Sequence, residues 1–331
     1  MRMEVCVEII QRHMVNNNVL VTGGCGFLGF HLVNKLVEQG RNVKVYDAKD
    51  CKNKDVNFLK GDVRDFEKLK NFAKDVNVIF HLASLVPQSK VDLQAYKTVI
   101  VEGTENVLKI CKENKIKMVH VSSSGVYGGE RGKPLKEDNP KNPSGGYGTA
   151  KWEAELKCME YAKQGVHVVM LRPMAIIGPG IYGVFKTYMN FVRYNLPLIT
   201  FGDGSNRIQM VSVYDCVDAL LLAEKYKKSG EAFNLGSDNI PTLKEQFKAL
   251  IKHAKSKSII IPLPAEFARK TCKIFYNLKL SPLTPEHYYV LDKDSILDNT
   301  KAKKELGWNP KRNNIEMNIE AYDWLVKTKD I

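Results

Sequence analysis

The chain has 331 residues, a formal net charge of +13, 44% hydrophobic residues and 26% charged ones. Such a length suits two domains or one large α/β unit, and the near-average composition excludes disorder, collagen and coiled coil. No apolar run approaches the ~18 residues of a membrane-spanning helix, and the first residues lack the apolar core and cleavage site of a signal peptide, so a soluble cytoplasmic protein is expected.

Residues 1–17 read as an N-terminal tail, with Met14 a second candidate start. Residues 18–22 (NVLVT) spell a short valine-rich strand, followed at once by Gly23, Gly24, Gly26 and Gly29. Phe27, Leu28, His31, Leu32, Leu36 and Val37 then recur at helical spacing until Gly40. A second strand covers 42–47. A short strand near 56–60, a polar helix around 65–74 and a strand at 77–82 come next. A long helix over 90–114 precedes a strand at 116–122. Strands alternating with helices predict a parallel sheet covered on both faces.

Residues 124–146, rich in Gly, Pro, Lys and Asn, read as a long loop of the kind that usually serves function. A helix over 147–164 and a strand at 166–172 follow. After Pro173 the alternation breaks, with helices near 182–195, 214–228, 242–255, 264–278 and 314–327. The expected architecture is therefore α/β: a doubly wound Rossmann-type parallel sheet over residues 18–173. Residues 174–331 form a smaller mixed substrate-binding region, from which some elements return to the sheet. The apolar stretch 260–278 reads as a packed amphipathic helix.

Seven scattered cysteines without C-x-x-C spacing argue against disulfides and zinc. The histidines form no H-E-x-x-H pattern, so no metal is expected. The lysine surplus suits either attraction to an anionic ligand, nucleic acid or a membrane surface or a plain solvated surface, and the latter is preferred.

Three motifs carry chemistry. In TGGCGFLG, Gly23, Gly26 and Gly29 lie between a strand and a helix opened by Phe27 and Leu28. A pyrophosphate approaches backbone N–H groups closely there, and a Cβ would obstruct it. A tight turn alone also uses glycines, but Asp47 closes the next strand about twenty residues on, as a ribose-binding carboxylate does. Its charge would repel a 2′-phosphate, favouring NAD over NADP. The second motif is Tyr147-Gly-Thr-Ala-Lys151, whose i,i+4 spacing puts phenol and ammonium on one helix face. A nearby ammonium favours the phenolate, which is a general base towards a hydroxyl. The third is VSSSGVYG (121–128), at the carboxyl end of a strand where ligands of open sheets bind. A serine-rich turn capping its own backbone is the structural alternative.

With GDVRD (61–65), FHLAS (80–84), LRPMAIIGPG (171–180), FNLGS (233–237) and DNTKAKKELGWNP (298–310), these motifs resemble the extended short-chain dehydrogenase/reductase superfamily, in its NAD-dependent epimerase/dehydratase branch. The resemblance runs from about residue 18 to the C-terminal end. It implies Ser123, Tyr147 and Lys151 as catalytic residues. Tyr147 is then the acid/base, and Lys151 tunes it and binds the nicotinamide ribose. It further implies Asp62 and Val63 at the adenine, Leu82 and Ala83 along the cofactor, and Pro173 beside the nicotinamide. Ser84, Ser124, Ala175 and Arg207 fall to the substrate side.

Departures narrow the chemistry. Nucleotide-sugar 4,6-dehydratases carry an Asp-Glu pair where this chain has Ser124 and Gly125, so dehydration is disfavoured. Epimerases of the UDP-galactose type have Asn at the position of Ala175, and Arg where this chain has Ile208, with Arg207 one place earlier. A one-residue shift on a strand turns a side chain to the other face. The expectation is an NAD-dependent nucleotide-sugar epimerase that forms a homodimer and binds neither nucleic acid nor membrane. A dehydrogenase of a hydrophobic alcohol, resembling 3β-hydroxysteroid dehydrogenases, is the first alternative, and a non-catalytic NAD-binding protein the second.

Overall fold

The structure is a computed structural model and describes residues 18–89, 91–128, 133–278, 283 and 292–328; the tail expected at residues 1–17 lies outside the described residues. In chain order the strands are β1 (Asn18–Thr22), β2 (Asn42–Asp47), β3 (Asn57–Lys60), β4 (Val78–His81), β5 (Lys117–Val121) and β6 (Val168–Pro173). After them come β7 (Ala175–Ile177), β8 (Leu198–Phe201), β9 (Met210–Ser212), β10 (Glu231–Leu235) and β11 (Ile260–Leu263).

Seven strands form one sheet in the order β10-β6-β5-β4-β1-β2-β3, with every pairing parallel. The order reverses between β1 and β4, and the crevice at such a switch point is where ligands of open α/β sheets bind. The period of two explains the sheet's two cores. Val19, Val21 and Val45 face one layer, with Leu32 and Leu36 of α1 (Phe27–Glu38) and Leu220 of a later helix. Leu20, Ile79 and Met118 face the other, with Leu108 and Cys158 of the opposite helical layer. Strands buried on both faces need apolar residues at every position, which is why they read as continuous apolar runs.

α2 (Phe66–Phe72) begins at Asp65, whose side chain accepts from Lys68 N. The long helix expected over 90–114 is interrupted. α3 (Leu93–Tyr96) passes into a π-helical stretch, Lys97–Glu102, and then α4 (Gly103–Asn114). The wide turn buries Ile100 and Val101 against Ala150 and Ala154 of α5 (Gly146–Lys163). π-bulges of this kind frequently mark functional regions.

Beyond Pro173 the chain builds a second core from α6 (Val184–Arg193), α8 (Leu243–His253) and α10 (Asn314–Lys327), through Met189, Leu250 and Met317. α7 (Val213–Lys225) and β10 return to the main sheet. Two short parallel pairs, β7 with β9 and β8 with β11, complete the region. α9 (Ala265–Asn277) departs from the packed amphipathic helix expected over 260–278. It packs Ala268, Cys272 and Tyr276 against Phe201, yet Phe267, Ile274, Phe275 and Leu278 are exposed at 59%, 60%, 47% and 60%. Only one of its apolar faces is covered.

Candidate active site

The glycine turn follows from steric necessity. Gly23 has φ +74°, and a Cβ there would lie 2.6 Å from Ala83 N, so only glycine lets the Leu82–Ala83 strand end cross the turn. A Cβ at Gly29 would collide with the Gly23 carbonyl oxygen. Gly26 is the N-cap of α1 in extended conformation, with no side-chain cap. The first N–H groups of α1, those of Phe27 and Leu28 among them, therefore face outward at the positive end of the helix, as an anion requires. Asp47 ends β2 with one oxygen accepting from Cys25 N (2.8 Å) and the other from Lys49 N (2.9 Å). Both bonds leave carboxylate lone pairs for a ribose diol. An uncapped helix start beside a pinned carboxylate fits a dinucleotide.

Around this turn the segment 178–180 closes in. His31 of α1 hydrogen-bonds the Pro179 carbonyl oxygen at 2.9 Å, and Phe27 makes edge contacts with His31 and Tyr182. In the sequence His31 figures only in the helical spacing of α1. A polar residue at an otherwise apolar position was the available signal. Asp62 lies after β3, held by Arg64 in a bidentate pair (2.9 and 2.7 Å), and its carboxyl sits below the usual range because Arg64 donates to it. Val63 is buried against Gly103, and Asn106 Nδ2 donates to its carbonyl oxygen.

The catalytic candidates converge at the end of β5. Ser123 caps the short helix Ser124–Tyr127, its Oγ accepting from Gly125 N at 3.0 Å. The self-capping alternative is thus realised, and it directs the hydroxyl proton away from the turn. A Cβ built at Gly125 would lie 3.3 Å from Ser123 Oγ and 3.7 Å from Tyr147 Cε1, so the serine hydroxyl and the phenol ring border one point. Tyr147, on the first turn of α5, also stacks edge-on to Tyr96 of α3 (6.2 Å). Lys151, one turn later, is 2% exposed. Its Nζ donates to Val121 O at 2.8 Å, and burial pulls its pKa down to about 8. Beneath it, His81 and His120 stack at 5.4 Å. Burial holds His81 near a pKa of about 3, so this pair adds no charge below the ammonium.

A buried network missed in the sequence ties these pieces together. Arg172 of β6 (1% exposed) and Glu155 of α5 (0%) form an ion pair of 2.7 Å. Arg172 Nη1 also donates to Tyr127 Oη (2.8 Å), which donates in turn to Asn234 Oδ1 of β10 (2.7 Å). The network links the helix carrying Tyr147 to the turn carrying Ser123. Its signal was legible: a charged residue inside an apolar strand (VVMLRP) demands a buried partner.

The substrate-side candidates are less gathered. Ser84 donates to Leu85 O, and Ser124 lies in the Ser123 turn. Pro173 ends β6, and Ala175, where epimerases of the UDP-galactose type have Asn, begins β7. Arg207 is half exposed and engaged with Asp294, Nε at 3.0 Å and Nη2 at 2.5 Å. The structure thus ties Arg207 to a carboxylate, while Ile208 packs into the C-terminal core.

Residues 19–236 match the family model described as NAD dependent epimerase/dehydratase family. A UDP-glucose 4-epimerase of Lactobacillus helveticus is 29% identical over 92% of this chain and 96% of its own length. A human dTDP-D-glucose 4,6-dehydratase is 29% identical over 72% of this chain and 74% of its length. Among solved structures, the Thermotoga maritima UDP-glucose 4-epimerase with UDP-glucose superposes at a TM-score of 0.80 with 27% identity, over 95% of this chain and all of that one.

Proposed function

The chain belongs to the NAD dependent epimerase/dehydratase family and is an NAD-using enzyme of it; on that premise we propose that it is a soluble, cytoplasmic nucleotide-sugar epimerase with Tyr147 as acid/base. The observation that carries the proposal is the meeting of Ser123 Oγ and the Tyr147 ring at one point beside Gly125. Bound at the glycine turn, NAD supplies a reversible hydride acceptor. The Tyr147 oxygen takes the proton of a sugar hydroxyl. The Ser123 hydroxyl, its lone pair already occupied by Gly125 N–H, donates to the same sugar oxygen and holds it in place. The buried Lys151 ammonium favours the phenolate form of its neighbour. After the keto sugar turns over, Tyr147 returns the proton while the carbonyl is reduced on its other face.

Water loss needs a further general acid, and Ser124 and Gly125 offer no carboxyl group next to Ser123. This favours epimerisation over dehydration, although a 4,6-dehydratase stands among the relatives. Ala175 and the Asp294-bound Arg207 favour a second reading, oxidation of a hydrophobic alcohol. Oligomerisation is proposed as a homodimer through α4 and α5, which pack side by side, with Leu156 exposed on α5.

The test is incubation with a panel of UDP-, GDP- and dTDP-sugars, following product sugars and nicotinamide absorbance. Interconversion without net NADH is expected. Stoichiometric NADH from a sugar overturns the epimerase in favour of a sugar dehydrogenase, and turnover only of a long-chain or steroid-like alcohol overturns it in favour of the second reading.

A further inference from the structure

We propose that α9 and the adjoining face of the β8–β11 pair form a docking surface for an anionic phospholipid membrane. The sequence AEFARKTCKIFYN has two apolar sides. Ala268, Cys272 and Tyr276 point to Phe201 and Leu263, whereas Phe267, Ile274 and Leu278 recur at i, i+7 and i+11. Together with Phe275 they make an exposed stripe along the opposite side. Soluble surfaces scatter such residues singly; a contiguous stripe marks an interaction site.

The strands carry further exposed apolar side chains. Ile199 is the register partner of Ile261, and Phe201 that of Leu263, so these four side chains share one face of the pair. α9 covers the Phe201–Leu263 end and leaves Ile199 50% exposed at the other. Ile259, two residues before Ile261, is 63% exposed.

Charge selects the occupant. Lys270 and Lys273 stand exposed beside the stripe on α9, and Lys255 and Lys257 are exposed next to Ile259. The single acidic residue of α9, Glu266, is held by Arg269 at 2.5 Å, and Arg269 also takes Asp292 at 2.7 Å, so this trio sets one net negative charge against the four lysines. In a symmetric contact between two copies, these lysine rims would oppose each other. An anionic lipid surface takes the apolar stripe at the acyl boundary and the ammonium groups at the headgroups, the arrangement of in-plane amphipathic helices. Among the described residues no helix is long and apolar enough to cross a membrane, so the chain would lie on the surface. The proposal departs from the expectation of no membrane partner. It rests on the exposed face alone and does not depend on the epimerase reading.

The full chain is sedimented with vesicles of phosphatidylcholine alone and with vesicles containing phosphatidylserine or phosphatidylglycerol. Binding to the anionic vesicles, weakened by salt, is expected, with far less to phosphatidylcholine. Ile274→Ser with Phe275→Ser lowers it at least about tenfold, and Lys270→Gln with Lys273→Gln about thirtyfold, with NAD binding and Tm retained in both. Because the second pair only trims exposed charges, it tests the surface even if the first disturbs folding. No binding to anionic vesicles, or equal binding by both variants and the parent, overturns the proposal. So does concentration-dependent self-association abolished by Ile274→Ser with Phe275→Ser, which would assign the face to a second copy.

Discussion

Lys151 shows how one buried charge shapes both stability and chemistry. Burial lowers its pKa to about 8, against about 10.4 for an unconstrained lysine. Between those values the unfolded chain binds more protons than the folded one, so this group's contribution to stability rises as pH rises through that window. Below pH 8 the full cost of the buried ammonium is present in the apo-protein. Lys151→Met removes it, so the variant's stability relative to the parent is expected to be greatest below pH 8 and to shrink towards pH 10, as measured by denaturant unfolding. In the proposed cofactor site Asp47 would act through charge. Its carboxylate holds two backbone N–H groups and keeps acceptor sites free, so Asp47→Asn is expected to weaken NAD binding about tenfold or more. Removing the negative charge would also narrow the preference over NADP, which titration calorimetry with both nucleotides checks. The motif residues of this cofactor end were legible because backbone sterics leave little choice at Gly23 and Gly29. The pairing of Asp294 with Arg207 was not, since an ion pair across 87 residues leaves no local spacing.

Elements were legible where periodicity was strong. The strands at 18–22 and 42–47 match their expected limits, and α5 spans Gly146–Lys163 against an expected 147–164. The π stretch Lys97–Glu102 was not, because a one-residue widening shifts the apolar spacing by only a single position within an otherwise helical pattern. For α9 the pattern announced an amphipathic helix but not that the fold covers only part of its apolar arc. The arrangement of elements in the site rests on the Glu155–Arg172 pair, which joins α5 to β6. Glu155→Gln leaves a buried guanidinium without its countercharge, and such losses cost about 3 kcal/mol or more. A lowered Tm and a lowered kcat are expected together, whereas Lys157→Gln, in the more exposed pair with Glu105, is expected to change Tm little.

At the scale of the whole molecule, the sheet order 3-2-1-4-5-6 with an added β10 places the glycine turn, Asp47, Ser123 and Tyr147 around the carboxyl ends of the strands. No single element carries the site. The proposed α4–α5 interface is expected to give a dimeric mass by light scattering at micromolar concentration, and Leu156→Glu a monomeric one; a monomer in the parent would refute it. The central claim is that a hydride, rather than a carbon-bound proton, moves and returns under control of Tyr147. Turnover of an accepted nucleotide-sugar in heavy water, followed by mass spectrometry of the product after back-exchange of its hydroxyls, tests this most directly. Epimerised product without carbon-bound deuterium is expected, with a kcat about 10²–10⁴-fold lower in Tyr147→Phe. One carbon-bound deuterium per turnover, or full activity in that variant, would contradict it.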